Sequence, residues 1–535
     1  MRLNRKLFLL AVSILLVLAA CSNKETSNKT ADNDNVNKSG MPIVNDSITL
    51  KMMVGKGNHY ASIDWDDLLV WQEYEKMTNI HIDWEQVAGS AIAEKRNLAL
   101  GAENLPDVFY HTSLSNVELY EHGKQGSIIA LNDLIDDYAP NLKQILDESP
   151  EIRKAITFPD GNIYSFPTVV SKDFLSLRVQ ASLWLNQTWL DQLGMDVPET
   201  TDEFYEYLKA IKEQDPSGGK VDAIPYGGTN MDELFNFLLG SFGIGNKGRA
   251  NPNIDLDPDE DKVRFYANTE RYKSMLEYLH KLYSEKLIAQ NIFSIETNQF
   301  LANATEGVYG AAVHWNPVTV WGGDIGKEFV SGIALEGPYG DQNFVKVSPI
   351  TYSMGNFAIT KENKNPAATV RWLDHFYSEE GVKLFYMGIE GETYQEASDG
   401  RYEYVEKITN SPDGLTFEQE AAKYVPWFGM PMGTIKEEFF LGTASSEGAI
   451  EAANKVAPYI PEEIWPQFTY TDDESKVLAS IGADIDKYVV EMRDKFITGN
   501  EPLSKWDDYV KTLDNMGLEE YMEIKQAAYE RYKNN

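Results

Sequence analysis

The chain has one cysteine among 535 residues. It therefore holds no intramolecular disulfide and no cysteine-built zinc site. Basic residues are also scarce: 48 Lys and Arg stand against 83 Asp and Glu, a formal charge of −35. So acidic a chain repels nucleic acid, whose binding depends on neutralising phosphates with Lys and Arg. It also disfavours polyanionic ligands. The histidines, at 59, 81, 111, 122, 280, 314 and 375, form no H-x-x-x-H pair, so no zinc site is announced. There is no G-x-S-x-G elbow and no phosphate-cradling G-x-x-x-x-G-K. Past residue 20 no long apolar run occurs, so a soluble body is expected.

What is present begins at the amino terminus. Arg2, Arg5 and Lys6 precede LFLLAVSILLVL (Leu7–Leu18), then Ala19, Ala20 and Cys21. A positive start, a short apolar run and small residues make a secretory signal. The run falls short of the roughly 20 apolar residues of a spanning helix. Leu18-Ala19-Ala20-Cys21 resembles the bacterial lipobox. That resemblance implies a diacylglycerol on the Cys21 thiol, cleavage before it, and a membrane anchor of two or more acyl chains. No free thiol, catalytic or otherwise, then remains. Loss of the signal, residues 1–20, with its three basic residues moves the charge from −35 to −38. Residues 21–46 have no aromatics and few large apolar groups, and read as a flexible tether.

The remaining body, at about 100–200 residues per domain, calls for two or more lobes. SITLKMMV (Ser47–Val54), IHIDWEQV and LPDVFYH (Leu105–His111) read as strands, with a helix predicted over 66–78. Strands alternating with helices indicate an α/β layer fold with parallel sheets. Thr200 stands three residues before Glu203, a capping-box spacing, and Phe204, Tyr207, Leu208 and Ile211 follow on one face. Helical stripes recur over 270–287 and, opened by Pro366, at Val370, Leu373, Phe376 and Tyr377. Trp65, Trp71, Trp84, Trp184, Trp189 and Trp372 sit in such periodic segments and are assigned to the core.

Three patterns fall short of sites. Gly243 to Gly248 matches G-x-G-x-x-G, a pattern a dinucleotide site needs between a strand and a helix, but LFNFLLGSF precedes it and an acidic loop follows, so it reads as a turn. Asp255, Asp257, Asp259 and Asp261 alternate like a calcium loop. The sixth position is Glu260 rather than glycine and the twelfth is Tyr266, so a solvated loop is expected. Carboxylates abound, but a glycosidase pair is defined by separation in space.

Six segments, taken in order, resemble the extracellular solute-binding proteins of bacterial ABC importers. They are Leu105–Leu142, TFPDGNIYSFP (Thr157–Pro167), Leu183–Gly218, YGAAVHWNPV (Tyr309–Val318), Phe385–Tyr402 and Lys495–Tyr532. Within that family the segments resemble the large lipoproteins of carbohydrate uptake related to alginate-binding proteins. The resemblance implies two discontinuous α/β lobes joined by a hinge, with a ligand cleft between them. The expected boundaries are 47–172 with 353–405 for the first lobe, and 173–352 with 406–535 for the second. Expected crossings lie near 169–177 and 347–353, with another after Arg401. The resemblance also implies partners: an oligosaccharide, the permease subunits of the importer, and the membrane through Cys21, with the body a monomer on the extracytoplasmic face. Related proteins often carry a calcium loop. Here Asp215–Pro225 is one residue short of that pattern and has Ala223 in place of its glutamate. Asp215 and Asp222 are left as candidate ligands, a poor pair for a hard cation, and no cofactor is expected.

In open α/β sheets ligands sit at the carboxyl ends of strands. The first candidates are thus His59 with Asn58 and Tyr60, and His111, Ser113, Ser115 and Asn116. Sugars need an aromatic face and a polar rim. Trp315, Asn316 and Trp321 in HWNPVTVW, Glu390, Glu392 and Tyr394 in GIEGETY, and Trp427 in VPWFGMP supply those groups. The reading is a receptor without covalent chemistry. A secreted glycoside hydrolase, or a receptor for peptides or other small solutes, remains open.

Overall fold

A computed structural model of the chain describes residues 35–102 and 104–534. The signal peptide, Cys21 and the first part of the expected tether lie outside the described residues. The last part of that tether is not one. Val36 and Val44 form a β-bridge, Ile43 and Val44 are fully buried, and the Asn79 amide donates to the Val44 carbonyl at 3.0 Å. Two branched apolar side chains bury enough surface to dock this segment, so the fold is already established at residue 35, not at 47.

Two sheets carry the architecture. In the first, Ile48–Lys56 is central and runs parallel to Ile80–Ala88 and Val108–Tyr110, while Phe357–Ile359 closes the edge antiparallel to Val108–Tyr110. In the second, Tyr309–His314 pairs in parallel with Ile224–Tyr226 and antiparallel with Ser182–Asn186, which pairs antiparallel with Phe329–Ser331. Both sheets are therefore mixed, parallel at their centres or on one side and closed by antiparallel strands, where parallel sheets were expected. A third, three-stranded sheet places Thr168–Val170 between Thr351–Ser353 and Thr434–Ile435.

Each large sheet has its own core. The first draws on residues between Ile43 and Leu177 and between Ile350 and Ala444; the second on residues between Val179 and Val345 and between Ala453 and Tyr529. The chain changes lobes three times, and the three-stranded sheet gathers those passages into a hinge. One boundary moves. The segment 406–444, expected in the second lobe, packs into the first, because Tyr60 anchors it: its hydroxyl donates to Val425 O at 2.8 Å and accepts from Phe428 N at 3.0 Å. The third crossing thus falls between 444 and 453.

Local chemistry explains the elements. Thr200 caps Thr201–Gln214 with the full capping box, and Phe204, Tyr207, Leu208 and Ile211 are buried along it. The six tryptophans assigned to the core are all buried. Trp65 meets Trp84 edge-on at 4.9 Å and Trp71 stacks on Trp372 at 5.5 Å, tying strand, helix and the returning 366–374 helix into one aromatic cluster. Gly243–Gly248 is a turn, its three glycines all at positive φ. Asp255 is not solvated: it is buried and paired with Arg264 at 2.6 Å.

Candidate functional site

Between the lobes runs a groove of about 600 Å³. Leu114–Val117 of the first lobe form one wall, Ala250–Pro252 and Pro466–Phe468 of the second form the other, and Thr351–Met354 of the hinge lies between. A second opening, of about 370 Å³, sets Thr319 of the second lobe against Phe417, Glu418 and Gly442 of the first. A depression of about 680 Å³ adjoins it through Leu441 and Ser445 and is rimmed by Asp173, Arg401 and Glu437. Polar contacts bridge the lobes beside the groove: Asn116 Nδ2 to Gln467 Oε1 at 3.4 Å, Lys124 to Asp472 at 2.6 Å, and Lys154 Nζ to Lys533 O at 2.8 Å.

The first-lobe wall is built by a strained turn and a buried cation. After Val108–Tyr110 the backbone passes through left-handed conformations at His111 (φ 47°) and Ser113 (φ 59°), which cost non-glycine residues energy. Arg96, 3% exposed, holds the turn: one terminal nitrogen donates to the carbonyls of Thr112 and Ser113, both at 2.6 Å, and the other pairs with Glu118. Glu118 in turn accepts from the Ser115 amide at 2.8 Å, completing the capping box of Asn116–Lys124. Gly355 fits beneath, where a Cβ would lie 2.1 Å from the Leu114 carbonyl oxygen. His111 hydrogen-bonds through its backbone to Asn356 O at 2.7 Å. Burial pushes its imidazole down to about 4, against the opposing pull of the Pro431 and Met430 carbonyls. It is neutral at physiological pH, a buried polar group and not a cation.

The expected ligand residues divide. His111, Ser113 and Asn116 share the turn that walls the groove, and Asn116 lines it. His59 is exposed, its ring 5.9 Å from that of Phe428. Trp315 directly follows the second-lobe strand Tyr309–His314 yet packs, partly buried, against the first core, so it spans the lobes.

The others do not meet there. Asn316 is buried and both ends of its amide are engaged: Nδ2 donates to Ser446 Oγ at 2.9 Å and Oδ1 accepts from Val318 N at 3.1 Å. Trp321 is 1% exposed, packed edge-on against Phe329 at 4.8 Å. Trp427 is 5% exposed; its ring stacks on Phe428 at 4.0 Å and its Nε1 donates to Tyr386 O at 2.9 Å. Its proline- and glycine-rich loop folds inward, whereas composition indicates only that it turns. Tyr394 is buried beside a separate depression with Glu73, Met77 and Lys383, and Glu392 is exposed next to it in sequence. Tyr60 is the anchor described above. Asp215 is occupied by its own loop, accepting from Ser217 Oγ at 2.5 Å and Gly219 N at 2.9 Å, while Asp222 is exposed. Among the described residues no three His, Cys, Asp or Glu side chains gather to hold a metal.

Two polar clusters escaped the sequence reading. Lys525, 7% exposed, lines the groove with Asp486 and donates to Tyr470 Oη at 3.0 Å. Burial lowers its ammonium to about 8, with Asp486 opposing. At the carboxyl edge of the second sheet, Glu233 pairs with Lys346 at 3.0 Å. Burial lowers Lys346, with Glu233 raising and Arg249 lowering it; burial also lowers His314, within the fields of Glu233 and Lys346. The four come from positions 233, 249, 314 and 346, and no spacing rule joins them.

Comparison with known proteins places this geometry. Residues 62–383 match the family described as bacterial extracellular solute-binding protein. A fructooligosaccharide ABC transporter substrate-binding protein, FusA of Streptococcus pneumoniae serotype 4, is 30% identical over 98% of both chains. Lipoprotein LipO of Bacillus subtilis is 25% identical over 99% of both. The solved structure of the pneumococcal FusA in complex with kestose superposes with a TM-score of 0.73 at 29% identity, covering 91% of this chain and all of that one.

Proposed function

The chain belongs to the bacterial extracellular solute-binding proteins, and on that premise we propose that it captures an oligosaccharide between its lobes and delivers it to an ABC permease. One observation carries the reading: the groove's two walls belong to separate cores and its remaining boundary is the hinge, so an occupant touches both lobes and favours their closure. Similarity over nearly the whole length to a protein named for fructooligosaccharides supports the ligand class. The lining fits it: amides at Asn116, Asn251 and Gln467, hydroxyls at Ser115 and Tyr352, and the rings of Phe468 and Tyr470.

In this reading the Cys21 thiol carries the acyl anchor, holding the body at the extracytoplasmic face near its permease. Similarity to a lipoprotein supports it. Replacing Cys21 with serine is expected to move the protein from the membrane fraction to the medium, and retention of that variant on membranes would count against the anchor.

The experiment for the ligand is a thermal-shift titration of the soluble body with fructo-oligosaccharides, oligogalacturonides and peptides. A true ligand raises the melting temperature as its concentration passes Kd. The glycan should be recovered uncleaved. Shortening of the sugar would make the protein a hydrolase, and a shift with peptides alone would make it a peptide receptor.

A further inference from the structure

A half-buried guanidinium is rarely left idle: it carries five N–H donors, and buried donors find acceptors or cost free energy. The molecule obeys this rule at Arg96, which serves two carbonyls and Glu118, at Arg178, which donates to Ser348 O at 3.0 Å, at Arg264 with Asp255, and at Arg493 with Asp232 and Asp494. Arg249 breaks it. Its Nε is buried without a partner, and among the described residues its side chain makes no hydrogen bond or ion pair. Carboxylate fields reach it from Glu233, which Lys346 already engages at 3.0 Å, and from Asp232, which Arg493 engages at 2.6 Å. Both carboxylates are thus committed to other cations.

Its place is specific. Arg249 immediately precedes Ala250–Pro252, the second-lobe wall of the groove. Glu233 lies in the first turn of Met231–Leu238, just beyond the carboxyl end of Ile224–Tyr226, where a ligand of an open sheet sits. His314, in the same field, ends the strand that leads into Trp315.

We propose that Arg249 is the ligand-reading guanidinium of the groove, donating two parallel N–H bonds to a pair of adjacent oxygens on the bound sugar. This rests on the oligosaccharide reading and adds the residue that reads the ring. The shared chemistry is a bidentate acceptor, presented either by vicinal hydroxyls of a neutral sugar or by the carboxylate of a uronic acid. The Glu233–Lys346 pair lies within the field of Arg249, with Glu233 favouring the charged form of Arg249 and itself holding Lys346 at 3.0 Å.

The test uses the soluble body, with Arg249→Gln and Arg249→Lys beside the unaltered protein. Each is titrated calorimetrically with fructo-oligosaccharide and with oligogalacturonide of matched length. In whichever arm the unaltered protein binds, Arg249→Gln weakens binding about 10- to 100-fold, the range of hydrogen bonds to a charged group. Arg249→Lys recovers little, because an ammonium lacks the fork. Binding in the oligogalacturonide arm alone, steeply salt-dependent, identifies a carboxylate; binding in the fructo-oligosaccharide arm, insensitive to salt, identifies hydroxyls. Since no protein partner is lost, the unliganded melting temperature of both variants stays within about 2 °C of the unaltered protein. A Kd for Arg249→Gln within twofold of the unaltered protein overturns the assignment alone, as does a large fall in its unliganded melt. Failure of the unaltered protein to bind either sugar overturns the receptor reading and this with it.

Discussion

Trp315→Ala separates a ligand-reading ring from a structural one. Trp315 leaves the second sheet and packs on the first core, and it belongs to neither lobe's fully buried set. Its truncation removes a contact made across the lobes, not one inside either. One indole face laid against a sugar covers about half of the ring's surface, about 100 Å². At about 25 cal/mol per Å² that is about 2.5 kcal/mol, or about 70-fold in Kd. Trp321 is the control. It lies inside the second lobe, 1% exposed, with Phe300, His314 and Phe329 around it. Trp321→Ala should cost about 3–5 kcal/mol, lowering the melt by about 6–20 °C for a lobe of ordinary size.

The assay pairs calorimetric Kd with the unliganded melting temperature for both variants. Trp315→Ala should lose affinity at an almost unchanged melt, and Trp321→Ala should lose melt first. The reasoning is refuted if Trp315→Ala melts as low as Trp321→Ala, or if it binds sugar within twofold of the unaltered protein.

Arg96→Met strips three acceptors of a buried cation. It should cost about 3–5 kcal/mol, read as a lower urea midpoint with weaker ligand binding, and Arg96→Lys should restore only part; an unchanged midpoint would show the turn self-supporting. Lys525 is held down to about 8 by burial, against about 10.4 unfolded. Between those values the unfolded chain binds more protons, so this residue's contribution to stability rises with pH. Lys525→Met should therefore be more stable than the unaltered protein by about 1–3 kcal/mol at pH 7, the gap closing as pH rises toward 10.5. Urea midpoints at pH 7 and 9.5 decide it, and a constant gap would contradict the assignment. Asp215→Ala removes the acceptor of Ser217 and Gly219 and should cost about 1–2 kcal/mol. The melt of the unaltered protein should not respond to calcium or EDTA, and a calcium-dependent rise would restore the loop as a metal site.

Much of the fold was legible because it is local. Periodicity located the helices at 201–214 and 270–284, and the six tryptophans in periodic segments proved buried. The hinge was legible only through resemblance, and its third passage shifted past 444 because Tyr60, some 365 residues upstream of Val425, fixes that segment to the first lobe. The site was less legible for a definite reason. A loop rich in proline and glycine announces a turn, but the side it presents to solvent is set by tertiary packing. Trp427 shows this: its indole nitrogen satisfies a carbonyl on the 379–387 helix. Asn316 carries the residue type of a sugar ligand and spends it on a cap and a tether. Conversely, Glu233, Arg249 and Lys346 lie in segments the sequence does not single out, His314 in one noted for its neighbours Trp315 and Asn316, and the four come within one another's fields only through the fold of the second lobe.

That division bears on how closure is controlled. The direct bridges beside the groove are polar and solvent-facing: Lys124 with Asp472, both about two-fifths exposed, Asn116 with Gln467 at 3.4 Å, and Lys154 with the Lys533 carbonyl. Exposed ion pairs of this kind are screened and weak, so they set the register of the lobes without locking them. Other groups stand at or next to the groove: the ring of Trp315, which reaches across to the first core, the unpartnered Nε of Arg249, next in sequence to the second-lobe wall, and Lys525 and Asp486, which line it. A ligand shifts the balance between open and closed only by its difference in affinity for the two. With only weak direct bridges beside the groove, that difference falls to the contacts an occupant makes with both walls.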